Sequence, residues 1–150
     1  MFRPLLQRFK KPERRGAAAV EMAIVLPLFF MIILAIIEFG RAMMVSNLVI
    51  NAAREGVRYA IIDGSTNAQA EKMIKDFMKD AASVNPKKVN VKIVITPDPG
   101  NPNPGNQLSA ALTRDLITVT VSVPFNEVQY FTGNFLQGKN LVGMSAMRHE

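Results

Sequence analysis

A long apolar segment near the N-terminus limits what this chain can fold into. Residues 22–37 are all apolar, with one proline at Pro27, and the only charge in residues 16–37 is Glu21. As a helix rising ~1.5 Å per residue, residues 17–37 measure about 32 Å, enough to span the ~30 Å hydrocarbon core of a bilayer. The segment therefore predicts a transmembrane helix, and a charge inside such a helix indicates a functional role for Glu21.

The positive charge of the chain is concentrated before this segment. The formal net charge is +6, and residues 1–16 contain six basic side chains against one acidic side chain, Glu13. Basic residues beside a membrane span lie on its cytoplasmic side, so the N-terminus is expected in the cytoplasm and the C-terminal domain outside it. A nucleic-acid-binding protein would carry a basic stripe on its folded part, and the nearly neutral remainder has none. No nucleic-acid partner is expected.

Three interpretations of the N-terminal region are open. A secretory signal could be cut after Gly40-Arg41-Ala42, although the apolar run is long for one and no helix breaker separates it from that site. A signal anchor would never be cut. A prepilin-type leader would be cut on the cytoplasmic side after Gly16, so that the mature chain begins at Ala17. Only the third interpretation gives both Gly16 and Glu21 a role, and it is the one we favour.

The segment after the apolar run predicts an amphipathic helix. Polar side chains recur at helical spacing on one face, at Asn47, Asn51, Arg54 and Arg58. Small and apolar residues lie opposite, at Val45, Val49, Ala52, Ala53, Gly56 and Ala60. The span and this stretch are expected to form one helix, and a separate second helix after a break near Gly40 is the alternative.

The rest of the chain predicts a small α+β head. Thr66 with Gln69 has the form of a capping box, and an apolar stripe follows at Ala70, Met73, Ile74, Phe77, Met78 and Ala81. Alternating apolar residues predict strands at 89–96 and 117–123, with a third candidate at 141–147. The proline-rich residues 97–106 predict an exposed loop, and the aromatic residues of 124–140 are expected to close the core. The expected fold is a long N-terminal helix carrying one helix packed on a roughly three-stranded antiparallel sheet.

Little in the chain points to catalysis. There is no cysteine, and the one histidine, His149, is the penultimate residue, where we expect a frayed side chain. No nucleophile–base set or phosphate-binding glycine loop is recognisable. We therefore expect a non-enzyme without catalytic residues, cofactor, metal or small-molecule substrate.

Three motifs occur in order along the N-terminal third: Arg15-Gly-Ala-Ala-Ala-Val-Glu21, Ile37-Glu-Phe-Gly-Arg41, and Asn51-Ala-Ala-Arg-Glu-Gly-Val-Arg-Tyr-Ala60. Together they resemble the TadE-like (TadE/TadG) family of pseudopilins and minor pilins of tight-adherence (Flp) type IV pilus systems. The closing residues 141–148 also look like the terminal strand of that family. The motif residues of the helix are Glu38, Gly40, Arg41, Asn51, Arg54, Glu55, Gly56 and Arg58.

The resemblance implies cleavage by a prepilin peptidase after Gly16, insertion in the bacterial inner membrane, and work with other pilin-like subunits and the pilus assembly machinery. Entry into a surface pilus stays open. The expected organisation is a leader (1–16), a transmembrane helix (17–38), an amphipathic extension (39–62) and an extracytoplasmic head (63–150). The alternative function is a membrane-tethered extracytoplasmic binding domain with an uncleaved signal anchor.

Overall fold

The structure is a computed structural model that describes residues 14–129, 136 and 138–150. Helix α1 covers Arg14–Ala60 and helix α2 covers Asn67–Ala82. Strands β1, β2 and β3 cover Asn90–Thr96, Leu116–Pro124 and Asn140–Arg148. Short 3-10 turns lie at Pro86–Lys88, Leu108–Ala110 and Phe125–Glu127. The α+β architecture predicted from the sequence is confirmed.

The chain divides into two compact units between Ile36 and Ile37. The described part of the first unit is helical and its side chains are mostly exposed. Helix α1 continues through Pro27 and Gly40 and ends at Ala60, so the break considered near Gly40 is absent. The predicted boundary at residue 62 lies two residues later, within the usual uncertainty of helix ends.

The second unit contains the core. Strand β2 lies at the centre of an antiparallel sheet of order β1-β2-β3. Alternate residues of β2 point to one face and are fully buried, at Ile117, Val119, Val121 and Val123. The small residues of α1 and the apolar stripe of α2 complete the core, and the polar face of α1 is exposed as predicted.

The local signals of α2 are largely confirmed. Thr66 caps the helix, and the reciprocal hydrogen bonds of the capping box with Gln69 are present. The buried stripe is Ala70, Ile74, Met78 and Ala82, so the predicted core position at Ala81 is wrong: Ala81 is exposed, and the last turn presents Ala82 to the core. Ser83 then ends the helix in the left-handed conformation, with its backbone N–H donating to Lys79 O.

Two glycines allow the elements of the second unit to approach closely. A Cβ added at Gly143 of β3 would lie 2.6 Å from the backbone nitrogen of Ile50 in α1. A Cβ added at Gly56 would lie 2.4 Å from the Cδ1 atom of Ile74 in α2. The third predicted strand and the packed face of α1 are therefore in direct backbone contact.

The segment after β2 contributes to the core in part as expected. Phe125 and Val128 are buried, and Leu136 is partly buried against the same core. Tyr130, Phe131 and Phe135, which were also expected to close the core, lie outside the described residues.

Candidate functional site

The residues predicted to direct processing lie at the start of α1. Gly16, Ala17 and Glu21 are exposed, and a Cβ added at Gly16 meets no atom within 4 Å. Among the described residues, Glu21 has no hydrogen-bond or ion-pair partner. Ala17 and Glu21 are four residues apart and so lie one helical turn from each other. The side of α1 that carries these three residues is therefore exposed. Their role in processing stays a prediction.

The second motif residue pair, Glu38 and Arg41, turns toward the head. The Arg41 guanidinium donates from Nη2 to the carbonyl oxygen of Ala82 at 3.1 Å and from Nε to that of Val128 at 3.2 Å. Ala82 is the last residue of α2, where backbone carbonyls have no partner inside the helix. A cation at that end also interacts favourably with the helix dipole. Arg41 therefore links α1 to the end of α2 and to the segment after β2.

Glu38 lies one turn before Arg41 and is only 2% exposed. Within the described part of the chain its Oε1 atom has no hydrogen-bond partner. The Oε1 atom of Gln129, next to Val128, is likewise buried without a partner. Burying an oxygen without a hydrogen bond costs about 1–3 kcal/mol, so this corner of the head contains polar groups that its own described residues do not satisfy.

The third motif places its polar residues outward. Asn51, Arg54, Glu55 and Arg58 are exposed, and the Arg58 Nη1 and Glu55 Oε1 atoms are 3.7 Å apart. An exposed ion pair of this kind contributes about 0–1 kcal/mol to stability. Gly56 lies on the opposite side, against Ile74, and the alanines of this motif are buried with it, so its small residues serve packing rather than the outer surface. Gly40 is exposed, with no atom within 4 Å of an added Cβ.

These motif residues fall within one match to a known family. The family described as "TadE-like protein" matches residues 16–58. These residues are similar to that family, and we call them the TadE-like segment. The match covers less than half of the chain and begins at Gly16, the residue at the predicted leader boundary. No curated protein and no solved structure matches the chain.

The matched segment relates part of the chain to a family of structural proteins. The TadE-like family is associated with tight-adherence pili, and residues 16–58 are similar to it. One helix of the described residues, within Gly16–Ala60, is long and apolar enough to cross a membrane, with a mean hydropathy of 2.8 in its most apolar window. It fits a membrane anchor that precedes a C-terminal head.

The densest polar cluster of the head lies outside the TadE-like segment and was missed by sequence reasoning. The buried Asp115 side chain accepts hydrogen bonds from Asn101 Nδ2 at 2.7 Å, from Leu112 N at 2.9 Å and from Asp98 N at 2.9 Å. The Asn101 amide and the Leu112 N–H lower the pKa of Asp115 below its ordinary 3.8, partly opposed by burial. Asp115 thus fastens the proline-rich loop to the start of β2.

The expectation for His149 was wrong. Its side chain is only 6% exposed, and its backbone pairs with the loop before β2, through His149 N to Asp115 O at 2.8 Å and Arg114 N to His149 O at 2.9 Å. The chain end is therefore held against the Asp115 cluster instead of fraying. Only the pairing of β3 with β2 brings these positions together, and no local motif marks them.

The proline-rich loop is mostly exposed, as predicted, but it is fastened at both ends. Besides the Asp115 contacts, the Asn106 side chain accepts from Ile95 N at 2.9 Å. Asn67, at the start of α2, donates to Asn106 O and accepts from Leu108 N, both at 2.8 Å. Asparagine side chains thus replace the regular backbone pairing that the prolines prevent.

Proposed function

We propose that this chain is a pseudopilin or minor pilin of a tight-adherence pilus, cut by a prepilin peptidase after Gly16. The observation that carries the proposal is the position of the TadE-like match. It begins at Gly16, where a basic leader meets an exposed apolar helix, and Glu21 follows as the only carboxylate before Glu38. A secretory signal or a plain anchor gives neither residue a role.

The exposed apolar half of α1 supports an assembly role. Residues 16–36 bury little surface inside the chain, so a bilayer or neighbouring apolar helices must cover them. An ionised carboxylate in such surroundings is unfavourable unless it finds a partner. After cleavage, the new α-amino group at Ala17 of a neighbouring subunit supplies one. Pairing between chains sets the axial register of the helices as they assemble.

The rest of the proposal concerns partners and location. The mature chain resides in the bacterial inner membrane, with its N-terminus in the cytoplasm and its head outside, because the positive charge precedes the span. Its partners are the prepilin peptidase, other pilin-like subunits and the pilus assembly machinery. The polar stripe of Asn51, Arg54, Glu55 and Arg58 is available to such subunits on the outer face of α1.

Processing is tested by the mass of the N-terminal peptide. In cells with an active prepilin peptidase, the mature protein should begin at Ala17, and Gly16→Trp should retain the leader. Gly40→Trp is the matched control: it places the same side chain at an equally open glycine of α1 and should leave cleavage unchanged. An intact chain beginning at Met1 would favour an uncleaved anchor with a tethered binding domain, and a start at Met43 would favour a secretory signal.

Orientation is tested separately, with a reporter fused after Glu150. A reporter enzyme that works only outside the cytoplasm should be active in this fusion. Activity of a strictly cytoplasmic reporter at the same position contradicts the proposed orientation, and leaves the cleavage test unaffected.

A further inference from the structure

The apolar stretch of α1 ends at a later residue on the exposed surface of the helix than it does in the sequence. In the sequence the apolar run stops at Glu38, and Arg41 follows. In the structure both side chains turn toward the head: Glu38 is buried, and Arg41 binds the carbonyl oxygens of Ala82 and Val128. Glu38 therefore adds no charge to the outer surface at this level of the helix. Arg41 is drawn off it in part: its side chain is half-buried, and its Nη1 atom lies 3.8 Å from Met44 Sδ.

The side chains that do face outward here are apolar. Ile37 is 44% exposed, Phe39 49%, Met43 70% and Met44 53%. We call these four residues the apolar collar. The outward positions that follow are Asn47, Asn51, Arg54 and Arg58, which are polar and exposed. The outer surface of α1 thus changes from apolar to polar between Met44 and Asn47, about two turns later than the sequence indicates.

We propose that the apolar collar is embedded in the interfacial layer of the bilayer, so that the membrane boundary lies between Met44 and Asn47. The collar belongs to the second unit but directly follows the apolar segment in the chain, so lipid that covers residue 36 is the nearest apolar phase. From Glu38 to Met44 the helix rises ~9 Å, close to the ~5–8 Å that one interfacial layer adds to the hydrocarbon core.

The contacts of the two charged side chains make this depth possible. A charge that faces lipid near the end of a span must reach for the headgroups or for water. Here the head shields the carboxylate of Glu38, and backbone carbonyls bind the guanidinium of Arg41. The inference rests on the membrane anchoring and goes beyond the proposed pilus function, because it locates a part of the head in the lipid.

The test uses single tryptophans as depth probes, because the chain contains no tryptophan of its own. Phe39→Trp, Met43→Trp and Asn51→Trp are made in the full chain and reconstituted into phosphatidylcholine vesicles. Fluorescence is compared between plain lipid and lipid brominated near the headgroup end of its acyl chains. Flotation with the vesicles and circular dichroism verify insertion and folding of each variant.

We expect brominated lipid to quench Phe39→Trp and Met43→Trp several-fold and to leave Asn51→Trp, ~12 Å beyond Met43 along the helix, almost unchanged. Iodide in the water should quench the three variants in the opposite order. Three results overturn the inference. The first is that iodide alone quenches the collar tryptophans, and the second is that another copy of the chain shields them from both quenchers. The third is that brominated lipid quenches Asn51→Trp as strongly as the collar variants. If the protein floats but the collar is not quenched, this inference fails while the pilus proposal stands.

Discussion

The two halves of helix α1 show how one helix serves two different surroundings. In residues 16–36 large apolar side chains face outward on every side. In residues 42–60 the buried positions are alanine, valine and glycine, and the outward ones are largely polar beyond Met44. A helix that is apolar all round needs an apolar phase outside the chain, whereas an amphipathic helix is stabilised by its own domain.

The choice of residues in the packed half follows from close approach. At Gly143 the backbone of β3 lies close to the backbone of α1. At Gly56 a side chain of α2, that of Ile74, lies close to the backbone of α1. Small residues permit this contact, and larger ones would separate the layers. The exposed half has no such constraint, because lipid or another helix adapts to its side chains. Substitutions in the exposed half should therefore affect assembly, and substitutions at the packed half should affect the stability of the head.

The largest effect is expected in the exposed half. Glu21→Leu should still be cleaved and inserted, because the span becomes more apolar, but it should abolish pilus assembly and crosslinking to partner pilins. The free energy of unfolding of the head should not change, since Glu21 belongs to the first unit and is exposed there. Pilus counts by electron microscopy and urea unfolding in detergent measure the two outcomes. Normal piliation of Glu21→Leu cells would exclude the carboxylate as an assembly device.

The next largest effect is expected in the packed half of α1, at its contact with Gly143 of β3. Gly143→Ala places a Cβ 2.6 Å from the Ile50 backbone nitrogen, and backbone atoms there cannot yield without moving β3 from α1. We expect a loss of about 3 kcal/mol in the free energy of unfolding, at the upper end for overpacked cores. The measurement is urea unfolding followed by circular dichroism.

Gly56→Ala is the matched control for Gly143→Ala. Its added Cβ would lie 2.4 Å from Cδ1 and 2.7 Å from Cγ1 of Ile74 and 3.4 Å from Cγ1 of Val119, which are all side-chain atoms. Alanine also gains about 1 kcal/mol of helix propensity over glycine. The net change should therefore be within about 1 kcal/mol. A loss at Gly56 as large as that at Gly143 would contradict the distinction between backbone and side-chain contact.

A smaller effect is expected at Asp115, whose side chain binds the proline-rich loop and the residues before β2. Asp115→Asn presents an amide N–H to the Leu112 N–H and should cost about 2 kcal/mol near pH 7. Because the folded-state pKa lies below 3.8, the carboxylate stabilises the fold above that pH, and the contribution is lost as pH falls through the lower folded value.

The pH dependence gives the Asp115 prediction its control. The difference in unfolding free energy between wild type and Asp115→Asn should shrink as the pH is lowered from 7 to well below 3.8. Asp80→Asn, at an exposed position of α2, should differ from wild type by less than about 0.5 kcal/mol at either pH. A difference at Asp115 that grows on acidification would show that the sign of the pKa shift is wrong.

The smallest effect tests the boundary between the two halves. Gly40→Ala adds a Cβ into open space on α1 and should raise the unfolding free energy by up to about 1 kcal/mol through helix propensity. The head should keep its fold. If the variant is more stable but fails to form pili, Gly40 is needed for close approach of another helix instead of for folding. A destabilised head would contradict the open surroundings of Gly40.

Much of the fold was predictable because its signals are local. The capping box at Thr66, the alternation in β2 and the polar face from Asn47 to Arg58 depend on residues two to four positions apart, and each is confirmed. Local patterns fail where the deciding contact is distant. His149 was expected to fray because termini usually do, but β3 carries it to Asp115, thirty-four residues earlier in the chain.

The sequence alone determined that residues 22–37 form a long apolar run, that basic residues precede it, and that the motif residues resemble the TadE-like family. These properties depend on composition and on short spacing. Only the tertiary structure decided that Glu38 and Arg41 turn to the head, and that the outer surface stays apolar to Met44. The physical reason is that the partners of Arg41 are carbonyl oxygens of Ala82 and Val128. A carbonyl is present at every residue, so only the folded backbone selects which ones meet the guanidinium.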